Sequence, residues 1–148
     1  MTVETLAALA TFAAVSFTLL AAHSFGDHWV QTHRQACAKG APTRAGRAAC
    51  ARHVATLTIT KAVALGLVML VTGLRLDAPW LAAGLLGDAA SHYWADRRTT
   101  LAKLAERIGK GGFYRMGEGL ASGAYALDQS WHHLWLFLTA LIIAGGGT

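Results

Sequence analysis

Charge, cysteine and proline are all scarce in this 148-residue chain: 14% of residues are charged, and cysteine and proline occur twice each. Two cysteines exclude a disulfide-stapled secreted domain. Two prolines exclude a collagen, and the composition as a whole excludes a disordered chain or a coiled coil. Apolar residues take their place at 54%, too many for an ordinary soluble domain of this length. The chain reads as a small helical membrane protein.

The formal charge of +5 points first to nucleic acid, but the positions of the charges point elsewhere. Of the 13 lysines and arginines, five fall within residues 34–52 and six within residues 97–115, with apolar stretches of membrane-spanning length between them. Such clusters set topology. No aromatic platform accompanies them, so no nucleic-acid partner is expected.

Residues 5–22 are an uncharged run without the basic region and small-residue cleavage site of a removable signal, so they are expected to stay as a first span. The whole pattern predicts an all-α, four-helix transmembrane bundle: one integral membrane domain over residues 1–148, with spans at about 5–30, 53–74, 79–96 and 120–144. Lys61 interrupts the second span and is expected to snorkel toward the nearer surface. Ala83, Gly87 and Ser91 place a small residue at every fourth position of the third span, where a neighbouring helix can approach closely.

Between the third and fourth spans, Leu101, Leu104, Ala105 and Ile108 mark one side of a short basic amphipathic cytoplasmic helix, suited to an anionic leaflet or to a solvated connector. Gly109-Lys-Gly-Gly112 lacks the setting of a phosphate loop and reads as a flexible joint. Residues 145–148 are expected to fray. The two basic loops should face the cytoplasm, which puts both termini outside it. Cys37 and Cys50 then sit in a reducing compartment as unremarkable thiols.

Histidine and aspartate recur where apolar packing does not require them. The first span ends in His23-Ser-Phe-Gly-Asp27, the third in His92-Tyr-Trp-Ala-Asp96, and the fourth begins with Asp128-Gln-Ser-Trp-His132. A spacing of four puts both side chains of each pair on one helix face, about 6 Å apart along the axis. Asp88 lies one turn before His92, and His53 opens the second span. A hydrocarbon core about 30 Å thick takes about 20 helical residues, and counting that length from the outer ends brings all four sets to the cytoplasmic boundary.

An aspartate in hydrocarbon is costly unless it is paired or bound to a cation, and imidazole with carboxylate is the usual donor set for zinc, manganese, iron or nickel. His23, Asp27, His53, His92, Asp96, Asp128 and His132 are therefore the candidate ligands of a divalent metal. Seven ligands exceed one tetrahedral ion, which favours two ions over one ion with an outer ring of hydrogen-bonding partners. His28, His33 and His133 read as interfacial polar residues. Trp29, Trp94, Trp131, Trp135 and Tyr93 read as an aromatic belt.

This ordered pattern resembles a family of small bacterial inner-membrane proteins, a domain of unknown function, with H-x-x-x-D-(aromatic)-x-x-Q, a histidine opening the second span, H-x-x-x-D closing the third and D-Q-x-x-H in the fourth. The first element appears here as His23-Ser-Phe-Gly-Asp27-His-Trp-Val-Gln31, with one extra residue before the aromatic. The others are His53, His92 with Asp96, and Asp128-Gln129-Ser-Trp-His132. The adjacent His28 and His133 leave open which member of each neighbouring pair faces inward.

The pattern is also similar to that of membrane-bound metal-dependent hydrolases of bacteria, some of them regulated by DNA damage. The two resemblances imply an inner-membrane location and a hydrolytic function, for which the spare carboxylate of Asp88 or Asp128 is the candidate general base. The expected partners are membrane lipid and an anionic amphiphilic substrate, with homo-oligomerisation left open. The competing readings are a metal-binding or proton-handling membrane protein, such as a small transporter, and a structural membrane subunit.

Overall fold

A computed structural model describes residues 1–146, and helices and turns account for all of the regular structure among them. The expected fraying reaches residues 147 and 148, which lie outside the described residues. Seven α-helices follow in order: α1 Val3–Phe25, α2 His33–Ala38, α3 Arg44–Thr72, α4 Ala78–Asp96, α5 Thr99–Arg107, α6 Gly111–Tyr114 and α7 Gly123–Gly145. A π-helical turn, Gly26–Val30, extends α1, and a 3-10 turn, Gly119–Ala121, precedes α7.

The four long helices form a bundle in which α1 packs against α3 and α7, and α4 packs against the same two. Two helices, the one over Val3–Val30 and α3, are long and apolar enough to cross a membrane. The ends follow local chemistry. Thr43 caps α3 by accepting from the Gly46 amide, and Gly73 ends it in the left-handed conformation that a residue with a Cβ resists. Asp77 then caps α4, with Pro79 in its first turn.

At one end of the bundle Val15, Leu19, Leu65, Leu136, Ala140 and Ile143 are buried against one another, with Phe12, Leu76, Leu81 and Leu85 partly buried around them. Burying each large side chain stabilises by about 1.5–3 kcal/mol relative to exposure. The outward faces carry Phe17, Leu70, Val71, Leu86 and Phe137, all exposed, so the bundle presents apolar surface outside as well as inside.

Three expectations change. Lys61 does not snorkel: it is fully buried, and its Nζ lies 2.5 Å from Asp88 Oδ2, because a facing carboxylate on α4 supplies the partner it would otherwise seek at the surface. The close approach of α4 to α7 uses Gly84 in place of Ala83, which is exposed; a Cβ on Gly84 would crowd Ile143 and Thr139. On α5, Leu101 and Ala105 are buried within the protein and are thus unavailable to a leaflet, while Ile108 is exposed. In the glycine-rich joint Gly109 is left-handed after α5, and Gly111 opens the single turn of α6.

Candidate metal centre

The end of α1 is shaped by its π turn. The Gln31 amide bonds to the Gly26 carbonyl five residues back, at 2.9 Å, so this turn holds one residue more than an α-turn. Gly26 lies against α3, where a Cβ would collide with the Leu57 side chain. The turn directs Asp27 inward toward His53, while His28 bonds through Nδ1 to the Ser24 carbonyl at 2.8 Å and remains exposed.

The other helices bring their side chains to the same level. His53 lies in the third turn of α3 and is fully buried, and His92 and Asp96 occupy the last two turns of α4, also buried. Ser122 caps α7 by accepting from the Tyr125 amide at 3.1 Å, which sets the phase that turns Asp128 and His132 toward the centre.

Asp27 Oδ2 lies 3.3 Å from His23 Nε2, and Asp27 Oδ1 lies 3.2 Å from His53 Nε2 and 3.9 Å from His92 Nε2. Asp96 Oδ2 lies 3.3 Å from His53 Nε2 and 3.2 Å from His92 Nε2; its Oδ1 is 4.0 Å from His132 Nε2. Asp128 Oδ2 is 3.5 Å from His132 Nε2. The His53 and His92 Nε2 atoms are 3.1 Å apart, and the His92 and His132 rings stack at 4.0 Å between centroids. All seven residues named from the sequence are thus brought together, from four elements.

His53 Nε2 and His92 Nε2 share a hydrogen bond, but several neighbouring atoms are close without one. Both nitrogens of His23, Asp27 Oδ1, Asp96 Oδ2 and His132 Nε2 are buried without a hydrogen-bond partner, even where a polar atom stands close. Ligand atoms aimed at a shared point show this arrangement, and buried groups left in that state are costly. Three sets, His23 with His92 and His132, Asp27 with His53 and His92, and Asp96 with Asp128 and His132, each offer ligand atoms within 4.8 Å of one another. Such sets can hold a metal ion, and neutral imidazoles with carboxylates suit a divalent one.

Asp88 is placed apart from these sets by its bond to Lys61. His133 is exposed and His132 is buried, which resolves that adjacent pair. His33 is exposed beside Cys37 Sγ at 3.4 Å, and Cys50 directs its thiol to the Tyr93 carbonyl at 3.7 Å. Of the aromatic residues, Trp131 ties α7 to α4 through its Nε1, which donates to Ser91 Oγ at 2.9 Å.

Sequence reasoning assigned Lys39 only to a basic loop, yet its Nζ lies 2.8 Å from Asp96 Oδ1. The loop is clamped from α4: the Arg97 guanidinium donates to the carbonyls of Lys39 and Ala41, and Arg98 donates to that of Ala36 at 3.1 Å. Arg98 has a φ of 56°, a strained value for a residue with a side chain. A cavity of about 540 Å³ opens beside the centre, lined by Asp27, Asp128, Gln31, Gln129, Lys39 and Arg98 among others. Tyr114 also lines it, and burial pushes its phenol pKa up, which keeps the hydroxyl a proton donor.

No family model matches this chain, and neither does any curated protein or solved structure.

Proposed function

We propose that this protein is a membrane-embedded, metal-dependent hydrolase whose centre opens at the cytoplasmic face of a bacterial inner membrane. The observation that carries the reading is the convergence of three carboxylates and four imidazoles from four elements, with several of their buried atoms lacking hydrogen-bond partners. A divalent ion bound by Asp27, His53 and His92, with His23 and Asp96 adjoining, would supply Lewis acidity and activate water. On ligand count alone the three sets offer room for two ions.

The chain's own groups provide the rest. Asp128 stands at the edge of the cavity with 24% of its side chain exposed, where its carboxylate can take the proton of an attacking water. Gln129 Nε2 donates to its Oδ2 at 3.4 Å, and His132 Nε2 stands 3.5 Å away. Asp88 is unsuited to that role because Lys61 already occupies its Oδ2. Arg98 and Lys39 give the cavity cationic contacts for an anionic amphiphile, and Gln31 and Gln129 add amide donors.

All four long helices cross the bilayer in this reading, with both basic loops in the cytoplasm and both termini outside. The resemblance to bacterial membrane-bound hydrolases belongs to the same proposal.

Transport is disfavoured by what lies beyond the centre. Among the described residues the buried ionisable groups continue only to the Lys61–Asp88 pair; beyond it Thr139 is tied to the Gly84 carbonyl, and the apolar cluster around Leu65 and Leu136 fills the bundle. The test is hydrolysis of anionic phospholipid in mixed micelles and of a soluble phosphoester by zinc- or manganese-loaded protein in detergent. Asp128→Asn should lower turnover about 10²- to 10⁴-fold while keeping metal bound. Stoichiometric metal with no hydrolysis of either substrate would favour a non-catalytic metal protein.

A further inference from the structure

The three carboxylates and four imidazoles of the centre share their space with one ammonium group. We propose that Lys39 is the resident cation of the Asp96, Asp128 and His132 set, so that the centre holds one divalent ion; this rests on the metal reading above.

The Asp96 carboxylate is divided between two tasks. Its Oδ2 faces His53 and His92 at 3.3 and 3.2 Å, on the side of the set that includes Asp27. Its Oδ1 faces the Lys39 ammonium at 2.8 Å and His132 at 4.0 Å. A second ion in that set would have to bind Oδ1 at about 2.0–2.2 Å, which brings it within about 5 Å of the ammonium. In a buried site, where screening is weak, repulsion between a divalent and a monovalent cation at that separation strongly opposes occupancy.

The charge balance agrees. Asp27, Asp96 and Asp128 with Lys39 carry a net charge of minus two, which one divalent ion cancels and two would overturn. Neutral imidazoles, the form that ligates metal, leave this balance unchanged.

Lys39 is also held where it is. The Arg97 guanidinium fixes its carbonyl and that of Ala41. Thr32 and Gln35 form a reciprocal cap on α2, the helix that leads to it. Gly46 passes so close beneath the Ala38 and Ala41 carbonyls that a Cβ would not fit. Only 12% of the Lys39 side chain is exposed. An ammonium fixed in this way occupies the place of a second ion, and it leaves Asp128 free of metal.

The experiment is metal stoichiometry, by elemental analysis and calorimetric titration with zinc and then manganese, on the full chain in detergent. Wild type should bind one ion, Lys39→Met two, and Lys39→Met combined with Asp128→Asn one again. Lys39→Arg, which keeps the positive charge, should stay at one. If Lys39→Met does not fold, Lys39→Gln removes the charge with a side chain that still hydrogen-bonds and should behave in the same way. Two ions in wild type, or one ion in every folded Lys39 variant, would overturn the assignment while the metal reading stands. No ion in wild type would overturn both.

Discussion

Around Val15, Leu19, Leu65, Leu136, Ala140 and Ile143, with Leu81 and Leu85 of α4 partly buried beside them, the four long helices meet through apolar side chains; around His23, Asp27, His53, His92, Asp96 and His132 the same helices meet through imidazoles and carboxylates. Burial stabilises the first region without further help, because each apolar group removed from water lowers the free energy of the fold. In the second region burial opposes folding until partners or a cation compensate the polar atoms. The bundle therefore has one half that holds it together and one half built for something other than stability. Lys61 and Asp88 mark the boundary, a buried pair whose members satisfy each other.

Breaking the boundary should have the largest effect. Lys61→Met leaves Asp88 buried and unpaired, and should lower stability by about 3–5 kcal/mol in detergent unfolding. Adding Asp88→Leu should recover most of that loss, since an apolar pair of similar volume satisfies the same space. A single variant as stable as wild type would mean that water reaches Asp88.

Cutting into the apolar half should cost somewhat less and should separate the two regions. Leu65→Ala is expected to lower stability by about 2–5 kcal/mol through lost burial and the cavity left behind. Metal bound per folded molecule should not change. A fall in metal content at full folding would couple the two halves more tightly than their separate packing suggests.

The smallest effect is expected at His133. Replacement by Ala should change stability by less than about 0.5 kcal/mol and leave metal content intact, because the side chain is exposed beside a buried neighbour of the same type. His132→Ala removes a buried imidazole that faces Asp96 and Asp128 and should cost clearly more stability than His133→Ala. Equal effects from both variants would place the helix in a different rotation.

Much of the centre was legible in the sequence because helical geometry fixes it. A histidine and an aspartate four residues apart must share a face, and the four long helices bring these faces to one level. The face of α4 was legible too: Gly84, Asp88 and His92 follow at the same interval, although the small residues one step away drew attention to Ala83. Four predicted spans correspond to four long helices, two of which are long and apolar enough to cross a membrane on their own.

What was not legible depends on contacts between distant segments. The partner of Lys61 lies 27 residues away on another helix, and no periodicity reveals it. Lys39 sits in a loop, where neither helix nor strand spacing says which way a side chain points. Its place depends on two arginines nearly 60 residues later. The need for a glycine at position 26 follows from the approach of Leu57, again a tertiary cause.

The central claim is that the polar half is completed by a divalent cation, and thermal melting of detergent-purified protein with and without a chelator tests it most directly. A bound ion that prefers the folded state should raise the midpoint by mass action. The metal-free protein, with carboxylates facing one another, should melt lower and recover when zinc or manganese is restored. Stoichiometric metal with a reversible rise on reloading is the result expected. Protein that contains no metal and melts at the same temperature with and without chelator would contradict the account.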